Sequence, residues 1–67
     1  MTKLEQHEAA YQAARTRALS KFAGLSLAQL QLAQGLVKQN YAMTGPTHDA
    51  VAECEVVYEM IQERQKT

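Results

Sequence analysis

Sixty-seven residues allow a single domain, close to the size at which a chain has too much surface for its volume to fold alone. Seven basic and seven acidic residues cancel, which argues against a protein built to neutralise a polyanion with a basic surplus. No apolar run approaches the roughly 20 residues that span a bilayer, and the N-terminus lacks the apolar stretch of a secretory signal.

The first predicted element runs over 4–22. Leu4, Tyr11, Ala14, Ala18 and Phe22 recur at helical spacing, with Leu19 at the edge of the stripe. Ala10, Ala14 and Ala18 are small enough to let another helix approach closely. Gly24 is the expected terminator, because glycine accepts the left-handed conformation found past helix ends. Arg17 and Lys21 lie near that end, where the helix dipole favours positive charge.

The second element is predicted over 26–41. Ser26-Leu27-Ala28-Gln29 reads as a capping box, in which serine and glutamine each satisfy an otherwise unpaired backbone donor. Leu30, Leu32, Ala33, Leu36, Val37 and Tyr41 give a broad apolar arc, with Gln31, Gln34 and Lys38 on the wet side. An arc so wide belongs to a helix contacted from two directions, as expected for the middle of three. Gly35 inside it weakens the helix slightly and marks a place of close contact.

The third element is predicted over 47–64, after Gly45-Pro46, with the proline accommodated in the first helical turn. Ala50, Val51, Cys54, Val57, Tyr58 and Ile61 make one coherent core face. Three amphipathic helices of matched length with short connections predict an all-α fold. The expected form is a compact three-helix bundle, or a helical hairpin plus a third helix, over 1–67. A lone Cys54 rules out an intrachain disulfide, so closure of so small a fold is expected from a second copy, giving a homodimer. The unpaired thiol also fits a reducing, cytoplasmic location.

Charge is unevenly spread. Residues 1–24 carry a surplus of two positives, 25–46 only Lys38, and 47–67 a deficit of three. The two ends are therefore expected to attract one another, within one chain or between two. Arg15, Arg17 and Lys21 form a candidate basic patch, the ground for a second reading as a nucleic-acid-binding accessory or transcription regulator.

Chemistry-bearing constellations are scarce. His7 and His48 stand far apart in sequence without other ligands at metal spacing, and zinc needs three or four converging donors, so no metal or cofactor is expected. Cys54 falls mid-helix beside Glu53 and Glu55, which would raise its pKa rather than activate it. Tyr11, Tyr41 and Tyr58 read as core-edge residues whose hydroxyls reach water. With no nucleophile–base pair to name, no catalytic residue is assigned and no enzyme is expected.

Glu55, Glu59 and Glu63 recur every four residues along one helix face, where like charges repel mildly. Val56 and Met60 lie just beyond that row, away from the expected core face, and would be exposed in a three-helix monomer. Together the five form a candidate protein-contact surface, apolar at its centre and acidic at its rim. The leading expectation is a small non-enzymatic interaction module of the adaptor, regulator or inhibitor kind, with a protein partner.

Overall fold

The computed structural model describes residues 2–66 and contains three α-helices: α1 (Lys3–Phe22), α2 (Leu27–Thr44) and α3 (His48–Gln65). No strand occurs among the described residues, and no helix is long and apolar enough to cross a membrane. Each helix begins where the chain supplies a side-chain acceptor. Thr2 and Glu5 form a capping box on α1, Ser26 and Gln29 form another on α2, and the Thr47 hydroxyl accepts from the Ala50 amide on α3. Gly24 and Gly45 occupy the left-handed region at φ 82° and 81°, which is what lets the chain turn within a few residues after α1 and α2.

Two boundaries differ from the sequence reading. α2 continues past Tyr41 to Thr44, so Met43 is helical. Pro46 lies outside α3, before its N-cap Thr47, instead of within its first turn.

The larger difference concerns which helix is central. α1 and α2 each pack against α3 and barely touch one another, so α3 is the middle helix, not α2. Its buried residues accordingly fall on two sides. Ala50, Val57 and Ile61 make the expected face; Ala52 and Val56 make a second one, roughly 120° or more away at 100° per residue. The Sγ of Cys54 lies 3.6 Å from the Val37 carbonyl, which puts the first face under α2. The second lies under α1. Val56 is 0% exposed and sits in the core with Ala18, Phe22, Leu30, Val37, Val57 and Ile61, and Met60 packs half-buried against it. The expectation that Val56 and Met60 are exposed is therefore overturned. Tyr58, assigned to the core face, is instead exposed.

α1 crosses α3 obliquely. His48 and Asp49 are neighbours, yet they reach His7 and Arg17, ten residues or about 15 Å apart along α1. Ala14 and Ala18, both 1% exposed, give the close approach that their size suggested. The assembly is flat, 41 × 26 × 17 Å, with a radius of gyration of 12.7 Å against about 11 Å for a compact chain of this length. Its accessible surface is 4821 Å², where folded monomers of this mass expose about 4,250 Å².

Burial of Val56 has a measurable consequence. Val56→Ala removes two carbons and leaves a void, and is expected to cost about 2 kcal/mol in chemical denaturation. A loss below about 0.5 kcal/mol, the usual surface value, would return Val56 to the exterior.

Candidate functional site

The acidic row and the basic patch meet inside one chain. Arg15 Nη1 donates to Glu55 Oε2 at 3.2 Å, and its Nη2 donates to both oxygens of Glu59 at 2.8 Å. The Tyr11 hydroxyl donates to the same Glu55 carboxylate. Arg17 bonds Asp49 at 2.7 Å, and Lys21 reaches Glu53 at 3.3 Å while its ammonium stands 5.5 Å from the centre of the Phe22 ring.

These contacts fall on two flanks of α3. At 100° per residue, Glu55 and Glu59 lie on one side of Ala52 and Val56, while Asp49 and Glu53 lie on the other. The carboxylates thus form the rim of the α1–α3 contact, with Ala52 and Val56 between them. The arrangement expected for a docking surface, apolar centre and charged rim, is present, but α1 already occupies it. Of the five residues in that candidate surface, Val56 is enclosed, Met60 half-buried, Glu55 and Glu59 paired with Arg15, and Glu63 exposed. The basic patch is engaged as well, since Arg15, Arg17 and Lys21 each face an α3 carboxylate.

The electrostatic consequences follow from this rim. Arg15 holds the Glu59 carboxyl below its ordinary range, chiefly through the hydrogen bond, and Glu59 in turn raises the guanidinium. The Tyr11 hydroxyl is raised, first by its bond to Glu55 and against the opposing effect of Arg15.

His7 and His48, distant in sequence, come together: His48 Nε2 and His7 Nδ1 are 2.9 Å apart, with the rings edge to face at 4.3 Å. One ring nitrogen donates and the other accepts, tying the start of α1 to the start of α3. Two imidazoles are fewer donors than a zinc centre takes. Among the described residues no group of three or more His, Cys, Asp and Glu side chains converges.

Cys54 is half-buried, and burial first, then Glu53, pushes its thiol up. It lines a cleft of ≈ 330 Å³ with Lys38, Tyr41, Val51 and Glu55, and a second cleft of ≈ 350 Å³ runs past Phe22, Ala33, Leu36 and Val37. A protonated thiol beside a backbone carbonyl is a poor nucleophile.

The surface that the sequence reading passed over is on α2. Leu32, Leu36 and Met43 are 73%, 67% and 79% exposed. They lie within about 40° of one another around the helix, and about 120° from the inward side that carries Leu30 and Val37. Ala28 and Gln39 fall within the same stripe, and Lys38 points to the far side. Leu32 and Leu36 belong to the broad arc that the sequence predicts to be covered from two directions, and the structure leaves both exposed. Met43 lay past the expected end of the helix. The width of the arc was the available signal.

No protein-family model, curated protein or solved structure matches this chain.

The Arg15–Glu59 contact predicts a pH signature. Because the folded-state pKa of Glu59 lies below its unfolded value, the unfolded chain binds the proton first as pH falls. The stabilisation is complete above the ordinary carboxylate value of about 4.3 and disappears as pH drops through the folded value. Arg15→Gln is expected to cost about 1 kcal/mol at pH 7, a figure set by the partial exposure of the pair, and to shrink the stability lost between pH 6 and pH 3. Thermal unfolding across that interval measures it; identical acid limbs in both proteins would refute the assignment.

Proposed function

We propose that this chain is a non-enzymatic helical interaction module, an adaptor, regulator or inhibitor in kind, that works by presenting the outer face of α2 to a protein. The observation that carries the reading is the exposed stripe of Leu32, Leu36 and Met43. Scattered exposed leucines are ordinary, but three large apolar side chains aligned on one uncharged helix face form a contact surface. Helix-in-groove and helix-on-helix recognition both use anchors at this spacing.

What the polar side chains do supports the same reading. Arg15, Arg17, Lys21, Tyr11, Glu55 and Glu59 are committed to holding α1 on α3, and Cys54 is turned toward a backbone carbonyl. Their groups serve cohesion of the fold, which leaves the apolar face as the feature available for recognition. The nucleic-acid reading loses its ground for the same reason, because the three cations that suggested it are each matched by a carboxylate. A free thiol suits the reducing cytoplasm, where we place the protein. Dimer closure, expected from the small size of the chain, belongs to this reading as one form of protein contact.

The test is substitution on the face itself. Leu32→Glu and Met43→Glu, at exposed positions, should leave helical circular dichroism and thermal unfolding within about 0.5 kcal/mol of the parent. They should weaken capture of protein partners on the immobilised chain at least ~10-fold. Undiminished capture by both variants would remove α2 as the contact face. Salt-sensitive retention on random duplex DNA would favour the nucleic-acid reading instead.

A further inference from the structure

α2 has an apolar circumference wide enough for two neighbours but meets one. Leu30 and Val37 are 0% and 5% exposed, while Leu32, Leu36 and Met43 stay 73%, 67% and 79% exposed, with Leu36 bordering the cleft beside Phe22. Four observations bear on what covers them.

The first is charge. Across residues 25–46 the only ionised side chain is Lys38, and it lies roughly 140° from the middle of the stripe. A face without charge meets its own image without like-charge repulsion. It also offers nothing to steer or select a charged partner. The second is symmetry. In a two-fold contact the same patch serves both sides, so it must be complementary to itself, which a plain apolar stripe satisfies.

The third is area. The chain exposes 4821 Å², about 570 Å² more than folded monomers of its mass. Removing that excess from two copies would bury about 1,100 Å² in total, near the lower limit for a specific interface. The fourth is Gly35. It lies in the helix interior, about 80° around the helix from the middle of the stripe, and a Cβ built on it would have nothing within 4 Å. Within one chain this helix-weakening residue therefore has no packing role. Against a second helix it lowers the surface and lets the backbones approach.

Resting on α2 as the contact face, we infer that its occupant is a second copy of this chain, docked across a two-fold axis with α2 against α2 through Leu32, Leu36 and Met43. An interface at the lower size limit is of the weak, transient kind, and the dimer is expected in about the micromolar range, dissociating on dilution. Leucines of each copy fill the spaces beside the glycine and glutamine of the other. Of the ion pairs that bind α1 to α3, Lys21–Glu53 borders this contact, since both residues line one cleft with Leu36.

Sedimentation equilibrium on the full chain tests the inference. The expected mass rises from 7.5 kDa toward twice that value with concentration, and Leu36→Glu raises the dissociation constant at least ~10-fold while leaving helicity unchanged. Gln39→Cys in a Cys54→Ala background places a thiol within the stripe, and mild oxidation should link two copies. The same treatment of Gln12→Cys, on the outer side of α1, should not. A chain that remains at 7.5 kDa up to about 100 µM overturns the second-copy occupant, whereas loss of capture of another protein by Leu36→Glu would still uphold α2 as the contact face. A dimer that Leu36→Glu leaves intact, with no cross-link through Gln39→Cys, overturns the α2–α2 contact, and undiminished capture of other proteins by the same variant overturns α2 as the contact face.

Discussion

α3 has to be covered on two sides at once, and the rest of the architecture follows from that demand. Ala50, Val57 and Ile61 require one neighbour; Ala52 and Val56 require another. α2 meets the first and α1 the second. Because both partners are used on α3, the direct contact between α1 and α2 stays slight, and the three helices form a slab instead of a closed triangle. The flatness and the surplus of exposed surface are therefore two expressions of one constraint.

The α1–α3 contact also shows how a small fold divides work between apolar and charged groups. Alanines at 14 and 18 bring the helices close, and close approach leaves little apolar area to bury. Long charged side chains on both flanks extend the contact outward. Arg15 reaches over one edge to Glu55 and Glu59, and Arg17 and Lys21 reach over the other to Asp49 and Glu53. Exposed pairs are individually weak, at about 0–1 kcal/mol. Their stronger effect is on register and orientation, since sliding α1 along α3 would take the three cations away from the α3 carboxylates that they pair with. The uneven distribution of charge along the chain is thus a device for docking its two ends.

Much of the fold was legible in the sequence, for local reasons. Ser26 with Gln29, Gly24, and the turn at Gly45-Pro46 are short-range signals, and they placed the helices within a few residues. The attraction between the basic start and the acidic end of the chain was also legible, though not whether it would act within one copy. What failed was the assignment of the central helix, and the reason is specific. On α3 the second buried strip consists of Ala52, Val56 and part of Met60, interleaved with Asp49, Glu53, Glu55 and Glu59. Periodicity counts those charges as solvent-facing, yet they rim a helix–helix contact. On α2 the same arithmetic saw an uninterrupted arc and assigned two neighbours. Hydrophobic pattern reports how much of a helix wants covering, but not whether the cover comes from the same chain. The meeting of His7 with His48 was invisible for a related reason, being a product of the oblique crossing and not of any local spacing.

This distinction explains why the proposed contact surface lies on α2 and not on α3. Charge beside an apolar pair on α3 looked like the rim of an external interface, but oppositely charged residues existed in the chain to satisfy it. Among the described residues, Leu32, Leu36 and Met43 stay largely exposed, with Leu36 bordering the cleft beside Phe22, and their stripe carries no charge to keep them apart from another apolar face. The exposure of the α2 face is therefore a consequence of how α3 is stabilised, with α1 and α2 each engaged on a different side of it.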